Sequence, residues 1–248
     1  MSFKDKIVFI TGGSKGIGKV TAINIAKLGA NVIIADKNKD EGLKTVEGIL
    51  SKGFKASFKK LDVSKIHNVK EVIKKVIKEN KRIDFAINNA GISGKTAPIH
   101  ELDFEDWEKT IQVNLNGVFF CMQEEIKVMM SQGFGRIVNV SSLAGIKGMG
   151  LGSAYSASKH GVVSLSKTAA IEYGKFNIRV NSVCPSFINT DILDNVSDSI
   201  LEVAAKRVPL KRLGEANEVA ESIIWLLDDK SSYINGHSLI IDGGMNVG

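Results

Sequence analysis

"KIVFITGGSKGIGKVTAINIAKLG", residues 6–29, contains three patterns in a row. A five-residue run rich in β-branched and aromatic side chains (6–10) reads as a buried strand. A glycine-rich turn follows, and then apolar residues return at helical spacing through residue 29. The next stretch, "NVIIAD" (31–36), is again a short apolar run. Outward from this strand–turn–helix–strand unit, "KASFKKLD" (55–62), "IDFAIN" (83–88), "GRIVNVSS" (135–142), "IRVNSVC" (178–184) and "HSLIIDGG" (237–244) continue the series, with amphipathic stretches between them. Seven strands alternating with helices predict an α/β fold: a doubly wound, seven-stranded parallel sheet with helices on both faces. Only three prolines occur and no Gly/Ser-rich linker divides the chain, so residues 1–248 read as a single domain.

Composition excludes several classes of function. With 44% hydrophobic and 24% charged residues the chain is globular rather than disordered. No apolar run approaches the ~20 residues needed to span a bilayer. The start, "MSFKDKIVFITGG", lacks the apolar stretch and cleavage site of a signal peptide. Cys121 and Cys184 form no C-x-x-C pair, which predicts free thiols in the cytoplasm. The net charge of +6 raises a nucleic-acid reading, since residues 52–82 hold eleven basic and three acidic side chains. Yet Ile66, Val69, Val72, Ile73, Val76 and Ile77 recur at helical spacing there, so the lysines form a solvated outer face and no nucleic-acid partner is expected. The four histidines, His67, His100, His160 and His237, are scattered without ligand-like spacing, so no metal is expected.

The turn "TGGSKGIG" (11–18) places Gly12, Gly16 and Gly18 where a chain must turn tightly and bring backbone N–H groups to an anion at a helix N-terminus. Gly12-Gly13-Ser14-Lys15-Gly16 also matches the G-x-S-x-G hydrolase elbow, but that fold needs an earlier strand, and no strand pattern precedes residue 6. Asp36 ends the second strand, where an acid can accept hydrogen bonds from both ribose hydroxyls of NAD and repel the 2′-phosphate of NADP. Lys15 and Lys37 keep NADP possible, since either can pair with that phosphate. Farther on, Tyr155 and Lys159 in "GSAYSASKHG" (152–161) are one helical turn apart on one face. An ammonium beside a phenol lowers its pKa, although a bare Y-x-x-x-K is most often ordinary helix. Ser142 lies thirteen residues before Tyr155 at a strand end. The glycine turn, Asp36, "NNAG" (88–91), Ser142 and Pro185 all fall at carboxyl ends of strands, where open α/β sheets bind ligands. Asn114, a mediocre helix former inside a long helical stretch, suits a local bend holding a water.

Together these residues resemble the short-chain dehydrogenase/reductase family from end to end. "TGGSKGIG" is similar to its cofactor turn (Gly12, Ser14, Lys15, Gly16, Ile17, Gly18), "LDV" to its adenine contact (Asp62, Val63), and "NNAG" to the turn under the cofactor ribose (Asn89, Ala90, Gly91). Asn114, Ser142, Tyr155 and Lys159 match its catalytic tetrad, while Pro185, Ile188 and Thr190 stand where the family grips the nicotinamide. The resemblance implies an oxidoreductase that interconverts a secondary alcohol and a ketone with NAD(H), with Tyr155 as general acid/base and no membrane. The alternative it allows is an NADPH-dependent 3-oxoacyl-[acyl-carrier-protein] reductase. A non-catalytic cofactor-binding scaffold is disfavoured by the intact tetrad. One departure stands out: "CPSFINTD" (184–191) has Ser186 where the family commonly has glycine. Family members are usually tetramers joined through the long helix after Asp103 and the Tyr155 helix, so a homotetramer is expected, with Val118, Phe119, Val162 and Leu165 as part of its surface. Residues 186–214, the least regular stretch, are expected to form a mobile substrate flap. With residues 92–98 and 143–152 they are expected to enclose a small, fairly apolar cavity.

Overall fold

The computed structural model describes residues 3–190 and 198–247. Its centre is a seven-stranded sheet: β1 (Ile7–Thr11), β2 (Asn31–Asp36), β3 (Lys55–Lys60), β4 (Phe85–Asn88), β5 (Gly135–Val140), β6 (Ile178–Pro185) and β7 (Ser238–Ile241). The spatial order is β3-β2-β1-β4-β5-β6-β7, and every pairing is parallel. The order reverses between β1 and β4, which opens a crevice at the carboxyl ends of these strands.

Continuous apolar runs in the sequence become two-sided burial. All residues of β1, β4, β5 and β6 are buried. Alternate residues separate onto two cores as the strand period of two requires. Val8, Ile10, Val32, Ile34 and Ile87 face one core with Ala22, Ile25, Val219 and Ile223. Ile7, Phe9, Ile33, Ala86 and Ile137 face the other with Val69, Ile73, Met129 and Val162. The helices are α1 (Gly16–Lys27), α2 (Lys39–Leu50), α3 (Ile66–Asn80), α4 (Phe104–Ile111), α5 (Gly117–Gln132), α6 (Ser153–Tyr173), α7 (Asp198–Arg207) and α8 (Ala216–Leu227).

The long helix expected after Asp103 runs from 104 to 132, with a π-helical segment, Gln112–Asn116, joining α4 to α5. Asn114 lies within this irregular segment. One expectation needs correction. Val118 and Val162 are not surface residues but core, 3% and 0% exposed; helical period alone does not say which chain covers an apolar face. Phe119 is exposed as expected, and so are Ile99, Phe104 and Trp107. The expected flap includes α7 and a two-residue ladder between Ile188–Asn189 and Gly214–Glu215, while residues 191–197 lie outside the described residues. No helix among the described residues is long and apolar enough to cross a membrane.

Candidate active site

The glycine turn leaves β1 and enters α1. Gly12 and Gly16 have φ of +63° and +51°, the left-handed region that favours glycine. Gly18 has no room for a side chain: a Cβ there would lie 2.3 Å from Gly12 O. Asn89 ties the turn down, its Nδ2 donating to Gly12 O at 2.8 Å and to Thr11 O at 3.2 Å. Thr11, which the sequence reading passed over, accepts through Oγ1 from the N–H groups of Asn89 and Ala90. Its signal was the one polar side chain closing an apolar strand. The start of α1 has no side-chain cap and no acid in its first turn, which leaves donors for an anion. Ser14 Oγ, buried, finds no partner among the described residues. An uncapped helix start beside an unpartnered hydroxyl fits a phosphate-bearing cofactor.

Asp36 stands at the end of β2, accepting from Ser14 N at 3.3 Å and Asn38 N at 3.0 Å. Lys15 and Lys37 are exposed. The register adds a cation the sequence did not flag: Lys60 of β3 pairs with Asp36 across the sheet, so the two side chains leave the same face. Asp62 accepts from Ser64 N and Oγ, which shapes the turn after β3, and Val63 packs under Gly117.

Across the crevice, Tyr155 and Lys159 project from α6 and Ser142 from the end of β5. Ser142 acts on the Tyr155 phenol, opposing the rise in its pKa, and its Oγ accepts from Ala144 N at 3.1 Å. Lys159 is 4% exposed, and its ammonium donates to Val140 O at 2.8 Å and sits 5.7 Å from the Tyr155 ring centroid. Burial lowers its pKa to about 8. Burial also pushes the Tyr155 phenol above its ordinary value, with Ser142 opposing. In the protein by itself burial, rather than the neighbouring ammonium, sets the direction of the shift. Asn114 is fully buried. Its Oδ1 accepts from Ile92 N and its Nδ2 donates to Ile92 O, both at 2.8 Å. This side chain clamps the backbone after "NNAG". Gly91 lies against both groups: a Cβ there would be 3.2 Å from Asn114 Oδ1 and 3.5 Å from Lys159 Nζ.

The loop after β6 closes the gap between the two walls. Pro185 is the last residue of β6 and pairs with Ile241, Ile188 is buried, and Thr190 lies over Gly16, where an added Cβ would be 3.4 Å from the Thr190 side chain. Ser186 donates its N–H to Ile241 O and does not take a positive φ, so no glycine is needed there. Leu151 does: at φ 63° it is strained for a branched side chain, and its carbonyl holds Ala97 N. This link joins segments 92–98 and 143–152, two of the three expected to enclose substrate. His160 turns to the backbone of its own helix, Nδ1 lying 2.9 Å from Ser156 O. The groove of about 530 Å³ lined by Ile99, Leu102, Phe104, Trp107, Ser153 and Ala157 is not this cleft, because positions 153 and 157 lie on the opposite face of α6 from 155 and 159.

The family model for enoyl-(acyl carrier protein) reductase matches residues 12–246. The chain is 41% identical to a 3-oxoacyl-[acyl-carrier-protein] reductase of Thermotoga maritima, with 100% of both chains covered. It is 37% identical to a cyclohexanol dehydrogenase of Acinetobacter sp., covering 97% of this chain and 95% of that one. Among solved structures, levodione reductase superimposes with a TM-score of 0.96 at 34% identity over 99% of each chain.

Proposed function

Because the chain belongs to the short-chain dehydrogenase/reductase family, whose members use nicotinamide cofactors, we propose that it interconverts a secondary alcohol and a ketone with NAD(H). The observation that carries this reading is the buried Lys159 ammonium, 5.7 Å from the Tyr155 ring centroid, with Ser142 acting on the same phenol. The nicotinamide, when bound, supplies or accepts the hydride.

Tyr155 exchanges the proton of the substrate oxygen. In the protein by itself its phenol is protonated at neutral pH, which suits it to donate to a ketone; alcohol oxidation draws on the phenolate, which the cofactor's positive ring favours. Ser142 hydrogen-bonds the substrate oxygen and stabilises charge that develops on it. Lys159 holds the ribose and supports Tyr155. Asn114 holds Ile92, and through it the floor between the walls. Gly12, Ser14, Lys15, Gly16, Ile17 and Gly18 receive the pyrophosphate at the start of α1. Asp36 accepts from the adenosine ribose, and Asp62 and Val63 border the adenine. Asn89, Ala90 and Gly91 underlie the other ribose, and Pro185, Ile188 and Thr190 cover the nicotinamide. Four copies assemble through the outer faces of α4–α5 and α6, which size-exclusion chromatography tests.

A second reading, an NADPH-dependent 3-oxoacyl-thioester reductase, is favoured by Lys60 beside Asp36 and by the similarity to the Thermotoga maritima reductase. Titration with NADH and NADPH, followed by nicotinamide fluorescence, separates the two. Tight NADH with weak NADPH supports the first; preference for NADPH supports the second. Binding of neither would overturn both.

A further inference from the structure

Beneath the cleft a carboxyl group with no role in this chemistry is sealed in the core. Glu125, on α5, is 0% exposed. Its Oε2 accepts from Asn88 Nδ2 at 2.9 Å. That same nitrogen donates to Asn139 Oδ1 of β5 at 3.0 Å, and Asn139 Nδ2 donates to Ser166 Oγ of α6 at 2.9 Å. One carboxyl, two carboxamides and a hydroxyl thus join α5, β4, β5 and α6. The cluster sits one residue before Asn89 and three before Ser142, the positions that enter the cleft.

Two buried atoms of this cluster have no partner among the described residues: Glu125 Oε1 and Asn88 Oδ1. They belong to the two groups already joined through Nδ2 and Oε2. Both are acceptors when Glu125 is ionised, so neither can satisfy the other. Among the described residues no cation offsets a charge here. The buried face of α3, which packs on α5, is Val69, Val72, Ile73 and Val76. Lys159 lies two helical turns before Ser166 on α6 and is spent on Val140 O. Asp84, Arg136 and Arg179 lie three or more residues back along the strand direction at the other end of β4, β5 and β6, and Cys184 lies under Lys159. The titratable neighbour coupled to Glu125 is the Cys121 thiol one turn earlier, itself pushed up by burial and by Glu125. A buried carboxylate with one hydrogen bond and no counter-charge is costly, whereas one added proton on Oε1 has an acceptor waiting in Asn88 Oδ1.

We propose that Glu125 is a positioning residue held as a neutral carboxylic acid, paired with Asn88 by two antiparallel hydrogen bonds, and that this pair fixes the end of β4 that carries Asn89 into the glycine turn. Burial, against the opposing bond from Asn88, raises the carboxyl pKa from the ordinary 4.5 to about 7. The sign follows: the native state holds the proton more tightly than the unfolded chain. Stability from the neutral form is complete below the ordinary value and is lost as pH rises to about 7.

Glutamine at this position reproduces the pair, its Nε2 donating to Asn88 Oδ1 and its Oε1 accepting from Asn88 Nδ2. Infrared spectra of the full chain and of Glu125→Gln should differ at about pH 5.5 by the carbonyl stretch of one protonated carboxyl, a difference that fades by about pH 8.5. Glu125→Gln should melt slightly above the wild type at the lower pH, the margin widening to several degrees at the higher. Absence of the protonated band, or a Glu125→Gln protein that melts below the wild type at both pH values, overturns the proposal. Glu125→Leu, which strands Asn88, should weaken NADH at least about fivefold while Glu125→Gln stays within about twofold; equal affinity in all three overturns the positioning role. If Glu125→Leu does not fold, the glutamine variant still decides. The NADH comparison alone rests on the function proposed above. A protonated band in a protein that binds no nicotinamide supports the neutral acid and counts against that function instead.

Discussion

One wall of the cleft is made of backbone and the other of side chains. Residues 11–18 form their wall by main-chain turns at positive φ, held by the Asn89 carboxamide, and Gly18 sits where any side-chain atom would strike Gly12 O. Ser142, Tyr155 and Lys159 form theirs by placing two hydroxyls and an ammonium on a buried helix face and a strand end. The first wall therefore fails when an atom is added, the second when one is removed. Such a division suits what each must meet: a polyanion is bound by many N–H groups at close range, whereas proton exchange needs one group of suitable acidity in one place.

The largest effect expected is on the side-chain wall. Tyr155→Phe deletes one oxygen, leaves the ring packed, and should lower turnover about 10²–10⁴-fold while NADH binding stays within about twofold. Steady-state rates beside a fluorescence titration check both halves, and unchanged turnover breaks the assignment. The same group sets the pH dependence. With its phenol raised by burial, alcohol oxidation should climb as pH rises from neutrality, because the deprotonated form is the acceptor. Ketone reduction should fall over the same range, because it draws on the protonated form.

Next comes the backbone wall. Gly18→Ala would put a Cβ 2.3 Å from Gly12 O and 2.5 Å from Asn89 Nδ2, so the turn must move and the Asn89 bond must break. The expected cost is about 1–3 kcal/mol in stability, together with at least about tenfold weaker NADH. Thermal melting and titration measure these separately. A Gly18→Ala protein with wild-type affinity would show that the wall is adjustable, contrary to the contrast drawn here.

This contrast also explains what the sequence made legible. β2 was readable to the residue because Asn31 and Asp36 bracket an apolar run, and the glycine turn because few residue types tolerate its conformation. Tyr155 and Lys159 declared themselves through helical spacing. The buried polar cluster did not: Asn88 and Asn139 interrupt strands that otherwise read as apolar, and Glu125 follows Gln123 and Glu124 in what looks like a solvated helix face. Val118 and Val162 failed in the opposite sense, since apolarity declares burial without naming the covering surface. Lys60 could not be found from spacing at all, because its nearness to Asp36 depends on the register of β3 against β2. Asp36→Ala should narrow the preference between NADH and NADPH by about tenfold, the worth of one hydrogen-bonded charge, and Lys60→Ala should widen it, as paired titrations at fixed salt would show.

The smallest effect isolates the glycine argument from the site. Gly48 lies inside α2 on an exposed face, and a Cβ there would meet nothing within 4 Å. Glycine inside a helix costs conformational entropy that alanine does not, so Gly48→Ala should stabilise the protein by about 0.5–1 kcal/mol. NADH affinity should not change, because α2 approaches the turn through Thr45, whose Oγ1 donates to Ser14 O, and Gly48 lies one helical turn farther from it. The same substitution, one added methyl group, is thus expected to have opposite signs at residues 18 and 48. If chemical denaturation finds both destabilising, the difference between them is one of helix packing at large. If only Gly18→Ala loses both stability and cofactor, the cost belongs to the contact with Gly12 O, and the wall is backbone because nothing larger fits.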